Sequence, residues 1–466
     1  MSNDQYDLVV VGSGGAAMSA AITARQADSS VLLIDSGTLG GTCVNVGCVP
    51  SKALLTVSGH RAAAAASPFP GAPTSVGPVD LAALITQKDD LVSELRQDKY
   101  AAVADAYGFE IRPGTAAFTG DGTLTVDGLP LPAAACLLAT GAEPSVPDLA
   151  GLGQVDYLTS TTAMEQRELP DSLIVIGGGY VGLEQAQLFS GLGVQVTVIG
   201  RLAPRAEPEL RDVMAAALKR DGIRMLEHRA VAVEAARNGI GNELLGVVVV
   251  TASGLRVAAS KLLVATGRTP RTARLNLPAA GVETDERGFV VVDGHQRTAN
   301  PQVFAAGDVT GGPQYVYVAA AQGRVAAANA LGASDAVDYT GLPTVMFTRP
   351  QVASAGLTEA QAVEAGYACD CRTLALADVP RALVNFDTLG AVKLIAEAAT
   401  GRLLGVHAAA DAAGELMLAA TYAITAHMTV HDMAQTWAPY LTMSEALRLA
   451  AKLFKPGEQL PTSCCA

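Results

Sequence analysis

The first part of the chain alternates between short apolar runs and longer mixed segments. Residues 8–11 and 31–34 are two such runs, and residues 16–27 between them have the small and apolar composition of a buried helix. A short apolar run bounded by turn residues is typical of a strand that is buried on both faces. Because strands alternate here with a helix, the pattern predicts an α/β fold with a parallel sheet.

A glycine-rich turn joins the first apolar run to its helix. Gly12 and Gly14 begin a G-x-G-x-x-A sequence, and Asp35 ends the next strand 21 residues after Gly14. Glycines at this spacing let the backbone approach a pyrophosphate at the helix N-terminus, and an acid about 20 residues later can bind a ribose 2′-hydroxyl. The segment therefore predicts a dinucleotide site, and its candidate binding residues are Gly12, Gly14, Ala16, Ala17 and Asp35.

The same arrangement occurs a second time, with strands at 173–176 and 195–199 around a helix at 183–190. Gly200 stands where the first unit has its acid, and Arg201 and Arg205 follow it. Because no carboxylate would repel a 2′-phosphate there, we expect NADPH rather than NADH, although both arginines could instead belong to an ordinary solvated loop. The candidate binding residues of this second site are Gly177, Gly179, Gly182, Arg201 and Arg205.

Two cysteines with four residues between them follow the first unit. Cys43 and Cys48 on one regular helix would be separated by about 7.5 Å of rise, beyond the roughly 7 Å limit for a disulfide, so the backbone must deviate between them. Gly47 allows that deviation, and Pro50 suits the first turn of a helix that would begin near Cys48. We therefore expect Cys48 to be the resting thiolate and Cys43 the outward thiol of a redox pair. A structural disulfide or two buried free thiols are the alternatives.

Together with the two glycine-rich turns and the cysteine pair, the segments 139–141, 265–267 and 298–308 resemble the flavin-dependent pyridine nucleotide disulfide oxidoreductases over essentially the whole chain. The resemblance implies that the first turn binds FAD and the second binds the nicotinamide nucleotide. It also implies that Asp308 contacts the flavin and that Lys52 and Glu184 form an ion pair near its reactive nitrogen. The further cofactor positions that it implies are Gly41, Thr42, Lys52, Thr140, Gly141 and Gly267.

Charge and composition exclude several other classes of protein. The 466 residues carry a net charge of −13 without a basic cluster, which argues against nucleic acid or an anionic membrane as a partner. The apolar opening at 8–24 contains the first glycine turn and lacks a basic start, so it is not expected to be a signal peptide. No apolar run has the length of a membrane span, and we expect a cytoplasmic protein without membrane insertion.

The order of the motifs predicts three domains. We expect an FAD-binding domain that is discontinuous, at 1–143 and 267–338, and an NADPH-binding domain at 144–266. Residues 339–466 change to strands such as 391–395 and 403–407 followed by helices, which predicts an α+β domain. The family resemblance implies that this last domain forms the interface of a homodimer. The predicted fold is thus α/β, with two Rossmann-like domains and an α+β C-terminal dimerisation domain.

The C-terminal part departs from the disulfide reductases of the family at one position. Those enzymes have a His-Pro-Thr segment with a following glutamate, whereas this chain has Tyr440 in place of the histidine, with Thr442 and Glu445 in register. A tyrosine has an unperturbed pKa of about 10 and is a poor proton carrier at neutral pH. The sequence therefore indicates a substrate other than a disulfide, with Tyr440 and Glu445 as candidate catalytic residues.

The chain ends in a second pair of thiols, Cys464 and Cys465. Their Cα atoms are about 3.8 Å apart, below the usual disulfide range, so a mobile dithiol that collects a soft metal ion is the easier state. A tail with two inert cysteines is the alternative. Because no C-x-x-C pair precedes the first strand, we expect the terminal pair alone to capture metal. Cys369 and Cys371 are expected to be free thiols rather than an auxiliary metal site, and Cys136 a core residue.

Cys43, Cys48, Tyr440 and the terminal pair resemble the mercuric reductase branch of the family, and Tyr100 matches an active-site tyrosine of that branch. The resemblance implies that Hg(II) arrives on low-molecular-weight thiols and binds Cys464 and Cys465 of one subunit. It then passes to Cys43 and Cys48 of the other and is reduced by NADPH through FAD. A large-type thioredoxin reductase is the alternative enzyme. A metal-sequestering protein without turnover is the alternative of another class, and NADPH consumption on addition of Hg(II) or thioredoxin would separate the three.

Overall fold

A computed structural model describes residues 5–237 and 244–454 of the chain. Its first part contains strands β1 (Tyr6–Val11), β2 (Val31–Asp35), β3 (Glu110–Pro113), β4 (Ala116–Phe118), β5 (Leu124–Val126), β6 (Leu129–Pro130), β7 (Ala133–Leu138) and β8 (Ala142–Pro144). The helices of this part are α1 (Gly15–Gln26), α2 (Gly41–Asn45), α3 (Cys48–Ala65), α4 (Leu81–Arg96) and α5 (Ala102–Tyr107), with a π-helical turn at Gln97–Ala101.

The middle part contains strands β9 (Leu158–Thr159), β10 (Ser172–Ile176), β11 (Gln195–Ile199), β12 (Arg224–Leu226), β13 (Ala230–Arg237), β14 (Leu244–Thr251), β15 (Arg256–Ala259), β16 (Lys261–Val264) and β17 (Arg268–Pro270). Its helices are α6 (Ser160–Ala163), α7 (Tyr180–Gly191) and α8 (Pro208–Arg220).

The last part contains strands β18 (Val303–Ala305), β19 (Pro343–Met346), β20 (Gln351–Gly356), β21 (Cys369–Ala375), β22 (Ala391–Glu397) and β23 (Leu403–Ala410). Its helices are α9 (Val316–Ala330), α10 (Glu359–Glu364), α11 (Pro380–Val384), α12 (Ala413–Thr425), α13 (Val430–Gln435) and α14 (Glu445–Lys452).

Two parallel sheets form the centres of the two Rossmann-like domains that the apolar runs predict. The first has the strand order β18-β7-β1-β2-β3, and the second has the order β12-β11-β10-β16-β9. Leu8 and Val10 of β1 are fully buried beneath α1 and α9, and Val9, on the opposite face of the sheet, is fully buried against residues of β4 and β5. Strand β18 pairs with β7 although about 165 residues separate them, so the first sheet is built from distant parts of the chain.

An antiparallel sheet with the order β19-β20-β23-β22-β21 forms the centre of the C-terminal part, and helices α12, α13 and α14 pack with it around one apolar core. Strand β23 is buried along its whole length. Observed strands and helices coincide within a few residues with the predicted ones, and the predicted fold class is correct. Among the described residues, no helix combines the length and the apolar character that crossing a bilayer requires.

Candidate active site

The two thiols of the predicted redox pair lie on different helices. Cys43 is in the short helix α2, and Cys48 is the first residue of α3. The backbone leaves the helical conformation between them, with φ −141° at Val46 and φ −123°, ψ −108° at Gly47. A Cβ atom at Gly47 would lie 2.9 Å from the carbonyl oxygen of Thr42, so this break requires glycine. Both cysteines are free thiols here, which is the reduced state of the pair.

The environment makes the two thiols unequal. The pKa of Cys48 is lowered to about 7, chiefly because its sulfur accepts a hydrogen bond from the Cys43 thiol, and Lys52 lowers it further. The same hydrogen bond, together with burial, raises the pKa of Cys43. Cys48 also lies at the N-terminus of an 18-residue helix, where a thiolate is favoured. At neutral pH about half of the pairs therefore contain a Cys48 thiolate, and Cys43 remains a thiol.

The two thiols differ in exposure within the single chain, and the expectation that Cys43 meets the substrate stays a prediction. Cys48 is the exposed residue, and Cys43 is half-buried. Tyr100 lies near both thiols, and Arg268 lies near Cys48.

Tyr100 lies in the π-helical turn that joins α4 to α5. Its ring packs against the loop before α2, since a Cβ atom at Gly40 would lie 3.4 Å from the ring carbons. Burial, together with the nearby Cys43 and Cys48, raises the pKa of Tyr100 to about 12. The phenol therefore stays protonated and can donate a hydrogen bond to a thiolate or to a ligand held by the thiols.

Lys52 and Glu184 form the ion pair that the resemblance implies. Lys52 Nζ lies 2.7 Å from Glu184 Oε2, and the carboxylate also accepts a hydrogen bond of 2.8 Å from the backbone N–H of Phe347. Lys52 stands 4.7 Å from the centroid of the Phe347 ring. Glu184 is buried, and the pair links α3, α7 and the segment after β19 beside the thiols.

The first glycine turn has the shape that a dinucleotide requires. A Cβ atom at Gly12, where φ is +123°, would lie 2.3 Å from the oxygen of Ala139, and one at Gly41 would lie 2.7 Å from Gly14 Cα. Gly14 precedes α1 without a side-chain cap, which leaves backbone N–H groups for a phosphate. Ala16 and Ala17 are buried in the first turn of α1, and Thr42 is half-buried in α2.

Polar groups beside this turn also fit FAD. Ser13 Oγ donates a hydrogen bond to Asp35, at the end of β2, where a ribose would bind. Thr140 Oγ1 is buried without a hydrogen-bond partner in the described part of the chain, and the adjacent Gly141 adopts φ +71°. Arg268 lies 3.4 Å from Asp308, and burial raises the pKa of this aspartate. An unpaired hydroxyl and a partly buried ion pair are polar groups that a bound flavin nucleotide would contact.

The second glycine turn resembles the first in detail. A Cβ atom added at Gly177 would lie 2.2 Å from the carbonyl oxygen of Ala265, and one added at Gly182 would lie 1.9 Å from the carbonyl oxygen of Gly177. Gly179, just before α7, faces open space. Arg201 and Arg205 are both exposed in the loop after β11, and Gly267 lies between β16 and β17. Sequence reasoning missed Glu227, which accepts a hydrogen bond of 3.2 Å from Leu202 N and so places a carboxylate beside the arginine loop.

Tyr440 and Glu445 belong to the C-terminal part of the fold. Tyr440 is half-exposed, and the next residue, Leu441, has φ +61°. Glu445 begins α14, which packs against β21 and β22, and the residue is buried. Its Oε2 atom has no hydrogen-bond partner among the residues that the structure describes. Cys464 and Cys465 lie outside the described residues.

Asn45 and Arg96 position the thiol loop, and no sequence pattern marked either of them for this role. Asn45 Nδ2 donates hydrogen bonds of 2.9 Å to Leu39 O and 2.8 Å to Gly41 O. Its Oδ1 accepts one of 2.8 Å from Arg96 Nε, which fixes the loop to the end of α4. These contacts join residues 51 positions apart, and only the folded structure reveals them.

Comparison with protein families agrees with this site. Residues 6–323 match the model of the pyridine nucleotide-disulphide oxidoreductases, and residues 342–451 match the dimerisation domain of the same family. The chain belongs to the pyridine nucleotide-disulphide oxidoreductase family. The predicted use of FAD and NADPH and the predicted dimerisation domain agree with this membership.

Individual relatives define the branch more closely. The chain is 52% identical to a mercuric reductase of Streptomyces lividans over 99% of this chain and 98% of that protein. It is 43% identical to a mercuric reductase of Staphylococcus aureus over 99% of this chain and 84% of that protein. Among solved structures, the HOCl-induced flavoprotein disulfide reductase RclA from Escherichia coli matches with a TM-score of 0.85 and 29% identity, covering 97% of this chain and 100% of that one.

Proposed function

We propose that the protein reduces Hg(II) to elemental mercury with electrons from NADPH. The observation that carries the proposal is the unequal thiol pair, in which a Cys48 thiolate and a Cys43 thiol lie beside Tyr100 and Lys52. Thiolates are soft ligands that select soft metal ions. Full-length similarity to curated mercuric reductases supports the same substrate.

Cys43 and Cys48 hold Hg(II) in this mechanism. Cys48 is the more acidic thiol, with a pKa of about 7, so its sulfur binds the ion first, and the Cys43 proton leaves as the second sulfur coordinates. Tyr100, whose pKa is about 12, remains protonated and donates a hydrogen bond towards the metal-bound sulfurs. When bound, FAD would supply the redox chemistry that carries two electrons from NADPH to the metal.

The remaining residues hold the cofactors and set the charge of the site. Asp35, Thr140 and Asp308 would bind FAD together with the first glycine turn. Gly177, Gly179 and Gly182 would bind NADPH, and Arg201 and Arg205 would face its 2′-phosphate. Lys52 supplies positive charge near Cys48, and Glu184 fixes the lysine at 2.7 Å.

Delivery of the metal is the second part of the proposal. Low-molecular-weight thiols pass Hg(II) to Cys464 and Cys465 of one subunit, and these hand it to Cys43 and Cys48 of the partner by ligand exchange. Tyr440 and Glu445, from the dimerisation part, would then complete the site across the interface. We place the flavin domain at 1–143 and 267–338, the NADPH domain at 144–266 and the interface domain at 339–466, in a cytoplasmic homodimer without nucleic acid as a partner.

A thioredoxin reductase of the large type is the second candidate, because it also has paired C-terminal cysteines. Tyr440 argues against it, since release of a thiol from a disulfide substrate needs a proton carrier active near neutral pH. A protein that only sequesters metal is disfavoured because both nucleotide turns keep the close backbone approaches that cofactors require.

The decisive experiment compares substrates on the purified flavoprotein. NADPH absorbance is followed after addition of Hg(II) with excess thiol, of oxidised thioredoxin, or of neither. We expect rapid oxidation of NADPH only after addition of Hg(II) with excess thiol. Faster turnover of thioredoxin would support the second candidate, and binding of Hg(II) without NADPH oxidation would support sequestration.

A further inference from the structure

A second pair of thiols lies at the start of β21, in a different part of the fold from the helices that carry Cys43 and Cys48. Cys369 and Cys371 are both free and both half-buried. Strand β21 is an edge strand, since it pairs only with β22 within its five-stranded sheet. The proposed catalytic mechanism uses neither residue.

Both side chains point to the same face of the sheet. Residues i and i+2 of a strand share one face, with Cβ atoms about 6.6 Å apart from the strand rise, and side-chain rotation brings their sulfurs closer. Cys369 and Cys371 pack there against Ala362 of α10 and against Ile395 and Leu404 of the neighbouring strands. Two sulfurs can thus approach one ion while the apolar floor keeps water from its inner side.

The surroundings of the pair are negatively charged. Glu359 Oε2 binds the buried Lys393 Nζ at 2.7 Å, and Lys393 also binds Glu207 at 2.9 Å and Glu209 at 2.9 Å. Three carboxylates against one ammonium give this cluster a net charge of −2. Glu359 also lies close enough to the Cys371 thiol to raise its pKa, so the cluster adjoins the cysteine pair.

We propose that Cys369 and Cys371 form an accessory binding site for a soft, two-coordinate metal ion such as Hg(II), beside the Glu359–Lys393 cluster. No group of three or more cysteine, histidine or carboxylate ligands occurs within 5–237 and 244–454, so zinc is not the expected ion. A soft ion needs only the two sulfurs. The site would bind metal without reducing it.

Binding is an exchange of protons for metal. One Hg(II) ion forms two metal–sulfur bonds and displaces one proton from each thiol, so two protons are released and no electrons move. Burial and Glu359 raise the pKa of Cys371 to about 12, and the thiols are therefore protonated before the metal arrives. The negative cluster attracts the incoming cation, and the two positive charges of the metal replace those of the two released protons.

The test measures mercury retained by the full-length flavoprotein without NADPH. Protein is loaded with HgCl2 and passed over a desalting column against glutathione, and mercury per subunit is determined by mass spectrometry. We expect the double variant Cys369→Ser/Cys371→Ser to retain roughly one ion per subunit less than wild type. Each single variant should lose about the same amount, since one thiolate cannot hold the ion against competing glutathione. Cys136→Ala, which removes a lone buried thiol, is the matched control and should change nothing.

Alkylation of the wild-type protein provides an independent readout that no folding defect can affect. The protein is first loaded with enough HgCl2 to occupy its other thiols and then with one further equivalent. This further equivalent should protect Cys369 and Cys371 together from iodoacetamide. Unchanged mercury content in the double variant, or full retention in either single variant, would overturn the proposal. Alkylation that proceeds equally with and without metal would also overturn it. Because NADPH is absent, failure here would leave the proposed reduction of Hg(II) untouched.

Discussion

At the thiol pair, one hydrogen bond moves the acidities of two chemically identical residues in opposite directions. Cys48 accepts the bond and its pKa falls to about 7, while Cys43 donates it and becomes less acidic. Lys52 favours the Cys48 thiolate, and Glu184 opposes it. The nucleophile is therefore set by a balance of neighbours, and single substitutions should shift it in either direction.

We expect Lys52→Met to raise the pKa of Cys48 from about 7 towards the value of an ordinary thiol, because a nearby positive charge is lost. Glu184→Gln is the matched opposite and should lower it, because a negative charge is lost. The reduced protein is alkylated over a range of pH and the Cys48 peptide is quantified. In wild type the alkylation rate of Cys48 should be half-maximal near pH 7. A shift of this midpoint in the same direction in both variants would contradict this account.

Preference for NADPH should depend on Arg201. Arg201→Ala removes a charge-assisted hydrogen bond to the 2′-phosphate worth roughly 1.5–3 kcal/mol, so the NADPH-to-NADH ratio of kcat/KM should fall by roughly 10- to 100-fold. The kcat/KM for NADH should hardly change, which is the internal control. An unchanged ratio would show that Arg201 does not set the preference. The measurement is needed because the carboxylate of Glu227 lies beside the arginine loop, where a carboxylate would repel a 2′-phosphate.

Among the elements, those at the site differ most from regular geometry. The helices α2 and α3 are separated by a break at Gly47, and Tyr100 lies in a π-helical turn between α4 and α5. Glycine and cysteine spacing predicted the first irregularity. The π-helical turn follows from packing, which no local pattern encodes, and such turns often occur at functional sites.

Asn45 and Arg96 should matter for metal reduction more than for cofactor binding. Asn45→Ala leaves the carbonyls of Leu39 and Gly41 without their donor, and Arg96→Met frees the Asn45 amide. Each change should slow mercury turnover several-fold by loosening the thiol loop, while stopped-flow reduction of the flavin by NADPH stays near wild type. Glu94→Gln, on the exposed side of α4, is the control. Equal losses in both assays would indicate general unfolding.

Over the whole molecule, the apolar runs predicted both parallel sheets because their strands are continuous hydrophobic segments. Pairing of β18 with β7 follows from family resemblance rather than from any local signal, since the two segments are remote in sequence.

The C-terminal part exposes large residues, including Trp437 at 98% and Tyr422 at 66%. Such exposure in a domain that matches the dimerisation family model is consistent with burial against a second subunit.

Mixed dimers test the transfer of metal between subunits. One subunit carries Cys464→Ser/Cys465→Ser and the other carries Cys43→Ser, so only one tail and one thiol pair can cooperate across the interface. We expect about half of the wild-type rate with glutathione-bound Hg(II), because one of the two sites stays complete. Absence of activity in the mixed dimer, together with normal flavin reduction, would argue for transfer within a subunit.

The central claim is that electrons from NADPH end on mercury, and the most direct measurement is the amount of elemental mercury released per NADPH oxidised. The purified protein is supplied with NADPH and thiol-bound Hg(II) without oxygen, and mercury vapour is collected. A hydride carries two electrons and Hg(II) needs two, so we predict a ratio close to one, with no vapour from a Cys43→Ser/Cys48→Ser variant. NADPH oxidation without mercury vapour, or vapour from that variant at the wild-type rate, would contradict the proposed function.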